Sequence, residues 1–283
     1  MSMLEGVTIK EFLTTDAGTE GSKLIVKKIY DTLLEEAEKR KIPRELAALQ
    51  IGPSGIPGSS VDVDYADKDS MVIRKVAEGA LIPLTAETYS SFNMKPAKYG
   101  GRIAITSEMM EDSKWDMLLR NVKRAGIEMA ENETSLIITD ALDSAANTQA
   151  GSGAITISDI TTAMQYLEDS DYVGTDMLIG SEIANDLRNI DTFVEADKSG
   201  VMNPSKSLIG RIFDMAVWRV SGNLITSAYA YIIDRDYAFV IAEKRPMTFK
   251  NYDEVPSDMQ GVTVTQRISV RYLFSSAICK ITT

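Results

Sequence analysis

The sequence predicts an α+β protein with one long helix, an extended two-stranded excursion before it and an α/β segment after it. Three observations carry this. An amphipathic run from Trp115 to about Ala146 keeps helical spacing for about 30 residues, roughly 45 Å as a helix. Upstream, Val61, Val63 and Tyr65 alternate with Asp62 and Asp64, the period of a half-buried strand. Downstream of a small-residue stretch, 147–153, apolar runs of strand length alternate with helical runs that have start signals.

In chain order, residues 1–20 show no period and read as an arm. Residues 21–41 read as a helix, with Leu24, Ile25, Ile29, Leu33, Leu34 and Ala37 on one face. Lys39, Arg40 and Lys41 suit its C-terminal dipole, and Pro43 follows. A second short helix is expected over 44–49. The breaker cluster 52–58 supports no regular structure. Residues 71–76 and 91–95 continue the excursion. Such a charge-rich ribbon cannot bury a face by itself, so its partner is expected in a neighbouring subunit.

Residues 101–105 return as a strand and 106–112 as a short helix. Ser113-Lys114-Trp115-Asp116 then fits a capping box. In the long helix, Leu118, Val122, Ala125, Met129 and Leu136 mark one face, flanked by Leu119 and Ile137 and expected to pack on strands near 262–270. Gly126 inside it costs about 1 kcal/mol relative to alanine, which implies close packing. Residues 147–153 read as a hinge. Beyond it are expected a helix at 158–169, a buried strand at 177–180, a capped helix at 181–189, a polar loop at 193–206 and a strand at 216–220. Apolar runs at 229–234 and 237–243 are split by a turn at Arg235-Asp236. Further strands are expected at 247–252, 262–272 and 277–281. In 262–272, Thr263, Thr265, Arg267, Ser269 and Arg271 alternate with apolar residues, and only Gln266 breaks the pattern.

With 283 residues, 44% hydrophobic and 25% charged, the chain has the composition of a soluble globular protein with a large core. It has no run of about 18 apolar residues for a membrane span, since the best candidate, 228–242, is interrupted by Asp234-Arg235-Asp236. Residues 1–10 carry Glu5 and Lys10 and no apolar core, so no secretory signal is expected. The single cysteine, Cys279, excludes an intramolecular disulfide and reads as a small core residue. There is no histidine, which excludes histidine triads, histidine-ligated zinc and histidine acid–base catalysis.

One stretch has further meaning: Glu78-Gly79-Ala80-Leu81-Ile82-Pro83, then Phe92, Pro96-Ala97-Lys98 and Gly100-Gly101-Arg102, leading into the long helix. Asp176-Met177-Leu178-Ile179-Gly180-Ser181 follows, then Ser207-Leu208-Ile209-Gly210-Arg211-Ile212-Phe213-Asp214-Met215-Ala216-Val217 and Tyr229-Ala230-Tyr231-Ile232-Ile233-Asp234. In order and spacing this resembles the tailed-phage major capsid proteins of the Hong Kong 97 type. Two positions depart from the family pattern: Asp214 stands where a second glycine is common, and Ala216 where a proline is common.

The resemblance implies an N-terminal arm and helix (1–55), an extended β-hairpin loop (56–105), a spine helix of the P-domain (106–148), a central α/β A-domain (149–234) and P-domain return strands (235–283). It also implies a function: self-assembly as pentamers and hexamers into an icosahedral head enclosing double-stranded DNA, in a virion built in the host cytoplasm. The implied partners are other copies of the chain, a separate scaffolding protein, a portal and DNA held without sequence-specific contacts; no membrane, cofactor, metal or catalytic residue is expected. With 30 basic and 41 acidic residues the net charge is −11, the wrong sign for a phosphate binder but suited to a wall around packed DNA; surface solubility explains the same charge. An encapsulin-like compartment around an enzyme cargo is the alternative, disfavoured because the N-terminal region does not resemble an encapsulin start.

Inter-subunit contacts are expected at Asp62, Asp64, Lys68, Arg74, Lys75, Glu78, Asn251 and Glu254. Some relatives crosslink a loop lysine to an asparagine with help from a glutamate. Here Lys68 or Lys75 would face Asn251 and Glu254, but none sits in a distinctive motif, so exposed contact residues are the reading taken. Asp62, Asp64, Asp67 and Asp69 do not make a calcium loop, because Ala66 and Asp67 stand where a ligand and a glycine are needed. Gly18-Thr19-Glu20-Gly21-Ser22-Lys23 lacks phosphate-loop spacing and reads as a helix start. An enzyme using Asp234 and Asp236 or the Asp62 group is the remaining class, and no spacing singles out an acid and a base. Trp218 and the pair Tyr229 and Tyr231 read as packing residues.

Overall fold

The computed structural model describes residues 42, 44–66, 73–82, 84, 89–106, 108, 117–151, 153–190, 208–220, 224–254 and 259–283. The expected helices at 21–41 and 106–112, the capping box at 113–116 and the loop at 193–206 lie outside them, wholly or almost so, as do the side chains of Leu118, Leu119 and Val122. In chain order the strands before the long helix are β1 (Leu49–Ile51), β2 (Val61–Ala66), β3 (Tyr89–Met94) and β4 (Ala97–Thr106). Helix α1 (Met117–Asp140) and β5 (Asn147–Ala150) come next. The α/β segment holds α2 (Ile157–Glu168), β6 (Asp176–Ile179), α3 (Ser181–Arg188), β7 (Leu208–Ile212), β8 (Met215–Arg219) and β9 (Tyr229–Ile233). The chain closes with β10 (Phe239–Glu254), β11 (Met259–Tyr272) and β12 (Ile278–Thr282).

A four-stranded sheet, in the order β1-β10-β11-β4, lies under α1. The two apolar runs expected at 237–243 and 247–252 are one strand, β10, with register irregularities between Glu243 and Thr248. Pro246 falls inside this span; it has no N–H for the ladder and is tolerated where pairing is broken. Along β11, Val264, Ile268 and Val270 are buried while Thr265, Arg267 and Ser269 are half-exposed, as the alternation predicts. Gln266, the exception, is fully buried on the apolar side.

The described part of the predicted α1 face packs on the strand at 262–270 as expected at Met129 and Ile137, with its centre shifted toward Ala130, Ile138 and two polar residues. Met129 and Ala130 pack on Met247 and Val264, and Ile137 and Ile138 join Ile268 and Val270, but Ala125 and Leu136 are only partly covered. Glu133 and Thr134, polar residues, lie in the middle of the buried stripe. The face turns by about one position because these two have partners under the helix. The helix also stops at Asp140, short of Ala146, and a 3₁₀ turn at Leu142–Ser144 follows. Short helix 44–49 resolves into a 3₁₀ turn at Arg44–Leu46 and then β1, which pairs with β10. The breaker cluster holds a 3₁₀ turn, Pro53–Gly55.

The second sheet has six strands in the order β5-β12-β9-β6-β8-β7. Part of the expected hinge is therefore strand: Asn147–Ala150 pairs parallel with β12. β12 pairs with β9 as well, so the return through the helix-covered sheet ends at Tyr272. α2 starts one turn-position earlier than expected, on a capping box of Thr156 with Asp159. α3 has no side-chain cap; Gly180 holds the N-cap, and the amides of Glu182 and Ile183 donate to Ser227 O at 3.2 and 3.4 Å. The motif expected to approach a strand is itself a strand, β7, joined to β8 by Phe213 and Asp214 at φ 48° and 67°. Both signs are those of a two-residue hairpin turn, where glycine is usual and aspartate is tolerated. That accounts for Asp214 at the position where relatives carry glycine. Cys279 is fully buried in the core under this sheet, and burial pushes its thiol up to about 11.

Candidate subunit interface

The β2–β3 ribbon divides into a buried base and an exposed tip. At the base, Val63 and Met94 pack with Ile56, Val240 and Ala242, which corrects the expectation that the ribbon finds no partner in its own chain. The Arg271 guanidinium sits 4.9 Å over the Phe92 ring and Tyr65 meets Phe274 edge-on at 5.3 Å. Lys244 Nζ donates to Ile56 O at 3.1 Å and to Gly58 O, tying the preceding loop to β10. At the tip, Ile73, Leu81, Ile82 and Leu84 are 87%, 94%, 78% and 98% exposed, with Tyr89 exposed at its foot. Scattered apolar residues are ordinary on a surface, but four so exposed on one loop make it the candidate contact surface.

Of the expected contact residues, Arg74, Lys75 and Glu78 are exposed on this tip. Asp62 and Asp64 are exposed on β2, and Asn93 Nδ2 donates to Asp62 Oδ1 at 2.6 Å. Asn251 and Glu254 lie on β10 opposite Val262 and Met259, and their side chains, like all of Lys68, fall outside the described residues. The exposure of the apolar tip residues was not expected; the run Leu81-Ile82-Pro83-Leu84 between charged stretches was its signal in the sequence.

Beneath α1 lies a polar cluster that periodicity missed. Arg44 places Nε 2.7 Å and Nη2 2.8 Å from Glu133, and Nη1 2.8 Å and Nη2 2.9 Å from Glu243. Gln266 Nε2 donates to both glutamates at 3.0 Å. Hydrogen bonds with Glu133 hold the Arg44 guanidinium charged far above its ordinary range; burial opposes them and Glu243 adds to them. The backbone N–H of Ile42 donates to Thr134 Oγ1 at 3.4 Å. The cluster therefore fixes the chain that leaves the N-terminal segment to α1, β10 and β11 at once.

Two further clusters brace the six-stranded sheet. Asp176, fully buried, accepts from Arg235 Nη2 at 2.9 Å, Trp218 Nε1 at 2.8 Å and Thr175 Oγ1 at 2.9 Å. Asp143 accepts from Tyr231 Oη at 2.7 Å and Lys280 Nζ at 2.8 Å. Burial would raise the Asp143 carboxyl, but the Lys280 and Tyr231 hydrogen bonds outweigh it and hold it below its usual range. Asp234 accepts from the Val173 and Asp236 amides and so shapes the turn after β9. These acids hold backbone and neighbouring side chains.

Between α1 and β4 runs a groove of about 460 Å³, with Ala125, Met129 and Val264 on its floor and Arg102, Arg124 and Glu128 around it. Asn132 also lines it, and its buried Nδ2 has no partner among the described residues. No described helix is long and apolar enough to cross a membrane.

Residues 90–277 match the phage capsid protein family. No curated protein matches the sequence. Among solved structures, a protein of Microbacterium phage Oxtober96 is similar at TM-score 0.65 and 15% identity, over 84% of this chain and 90% of that one. A virus-like particle from Pyrococcus furiosus is similar at TM-score 0.61 and 15% identity, over 91% and 99%. The asymmetric unit of the bacteriophage PhiM1 mature capsid is similar at TM-score 0.63 and 9% identity, over 86% and 87%. A sequence match across most of the chain and a shared backbone across nearly all of it agree: the chain belongs to the phage capsid protein family and has the Hong Kong 97 type capsid fold.

Proposed function

We propose that this chain is the major shell subunit of a tailed-virus head, assembling as pentamers and hexamers around double-stranded DNA. The observation that carries this is the ribbon anchored by its base in the subunit while its tip holds Leu81, Ile82 and Leu84 in solvent. A monomer gains nothing from that arrangement, and a neighbouring copy removes the apolar surface from water. Arg74, Lys75 and Glu78 on the tip, with Asp62 and Asp64 on the ribbon, then border the contact, and Lys68, Asn251 and Glu254 belong to the same proposed set. A scaffolding protein and a portal are the expected assembly partners, and assembly in the host cytoplasm is the expected setting. The net charge of −11 favours a wall that does not adhere to DNA.

A compartment around a protein cargo is the second reading, and the likeness to the Pyrococcus furiosus virus-like particle over 99% of that chain favours it. Expression of the chain alone, followed by electron microscopy and light scattering, tests self-assembly. Shells or rings are expected from the full chain, and a folded subunit without shells when residues 67–88 are replaced by a two-residue turn. A compact monomer at every concentration refutes the reading. Nucleic acid rather than protein inside particles from the native source decides between virus and compartment.

A further inference from the structure

We infer that the end of the six-stranded sheet that carries Val173, Phe213 and Tyr237 docks on a second copy of this chain, against the cationic face of its four-stranded sheet that lies opposite α1. The inference rests on the self-assembly proposed above and adds a contact in which the ribbon tip takes no part.

The β6–β8 register brings distant segments to one end of the six-stranded sheet. Asp176 stands opposite Ala216, and the Ala216 amide donates to Thr175 O at 3.1 Å, so residues 171–173 lie beside the β7–β8 turn. Tyr237 joins them through a ring contact with Tyr172 at 5.4 Å. Val173, Phe213 and Tyr237 are 64%, 46% and 43% exposed there. Asp169, Asp171, Asp214 and Asp236 are exposed around them. An apolar centre with a polar rim is the composition of a docking surface. The backbone agrees. Asp171, Phe213 and Asp214, at φ 58°, 48° and 67°, are the non-glycine residues with positive φ among the described residues, and all three stand at this end. Left-handed backbone is costly for a residue as bulky as phenylalanine, and such strain gathers at functional surfaces.

Charge identifies the occupant. Val240 and Ala242 carry the ribbon base and pair with Arg271 and Ser269 of β11. Alternate residues of a strand share a face, so Arg267 lies on that side too, opposite Arg245 on β10 and Lys98 on β4. Thr263 follows on the same side, opposite Lys250. Lys98, Arg245 and Lys250 are exposed and Arg267 is half-buried. Among the described residues this part of the face carries no acid, in a chain of net charge −11. The face already holds one aromatic ring, since the Arg271 guanidinium sits 4.9 Å over Phe92. Arg245 and Arg267 offer the same contact to Phe213 and Tyr237. Within one copy the two surfaces do not meet, because the ribbon base stands between them. It touches Phe274 through Tyr65 on one side, and Arg267 Nη2 donates to Pro96 O on the other. An acidic end on a basic face is a contact between two different surfaces, the kind that closes into rings when the rotation permits. The charges orient it, and burial of the apolar centre stabilises it.

The test places a photo-crosslinking phenylalanine analogue at Phe213 and assembles shells from mixed light and ¹⁵N-labelled full-length subunits. Mixed-isotope crosslinks from that position to peptides carrying Lys98, Arg245 to Lys250 or Arg267 are expected. Mixed-isotope crosslinks confined to other surfaces, or crosslinks only within one copy, overturn this inference and leave self-assembly standing. Failure of the native chain to form shells overturns the self-assembly reading and this inference with it. A second variant, Phe213→Gly, removes the central ring and relieves its backbone, because glycine adopts positive φ without a Cβ clash. Its subunit should melt at the native temperature or higher, while the yield of shells falls by about tenfold or more, the equivalent of one lost anchor contact. Shells from Phe213→Gly at the native yield overturn the inference.

Discussion

At the scale of single residues, Arg44 decides whether the ground under α1 is stable. Glu133 has a side chain only 1% exposed and Glu243 one 14% exposed, and both share the Arg44 guanidinium. Removing one partner of a buried pair leaves a charge uncompensated and costs about 3–5 kcal/mol. Arg44→Ala should therefore lower the unfolding free energy of the subunit by that amount, and Arg44→Lys should restore only part, because an ammonium cannot bridge two carboxylates as a planar fork does. A change within about 0.5 kcal/mol in urea titration would show the cluster to be incidental. Asp143 gives a pH prediction. Its folded pKa lies below the ordinary value, so its contribution is full above about pH 4 and is lost as pH falls through the folded value. The side chain is 40% exposed, so the contribution at neutral pH is about 0.2–1 kcal/mol. Asp143→Asn should be less stable than the native chain at pH 7 and converge with it as pH falls through the folded value, a comparison that thermal melts across pH make directly. Of these groups the sequence showed only one trace, Gln266 breaking the alternation of its strand. Arg44 stands 89 positions from Glu133 and 199 from Glu243, and no local period reports such a pairing.

At the scale of elements, legibility followed the range of the force that makes each element. β2 and β11 carry their own period in the chain, β6 and β8 are short apolar runs and α1 carries a helical period, so they were readable. β1, β5 and β7, of three, four and five residues, hold their shape through neighbours, and were read as helix, hinge and approach. The buried face of α1 was displaced for a related reason. Periodicity ranks residues by hydrophobicity and places Glu133 and Thr134 outside, whereas a bonded polar pair is tolerated inside. The described face makes a direct prediction. Ile137 is fully buried between α1 and β11, and Ile137→Asp puts an unpaired carboxylate there, at a cost of several kcal/mol. Against a typical total of about 5–15 kcal/mol, loss of folded subunit and of shells is expected. Glu131→Lys on the same helix should fold normally. Folded, shell-forming Ile137→Asp protein, judged by melting and microscopy, would mean that the helix packs by another face.

At the scale of the whole molecule, the order of parts was legible because the capsid resemblance rests on order, while the surfaces that meet between copies were not. Leu81, Ile82 and Leu84 signal contact only once the structure shows the base of the ribbon to be covered and them to be bare. The charge of the subunit then sets how assembly responds to salt. Each copy carries −11, so copies repel at low ionic strength, with a Debye length of about 30 Å at 0.01 M. Raising the salt to about 0.15 M shortens that length to about 8 Å and removes most of the repulsion between subunit bodies. It weakens an apolar contact at the tip hardly at all, because burial of apolar surface does not depend on screening. The critical concentration for shells, measured by light scattering across a sodium chloride series, should therefore fall as salt rises and then level off. An interface held mainly by charged residues such as Arg74, Lys75 and Glu78 would behave in the opposite way, since screening removes exposed ion pairs first. A critical concentration that climbs with salt would move the weight of assembly from Leu81, Ile82 and Leu84 to the charged residues around them.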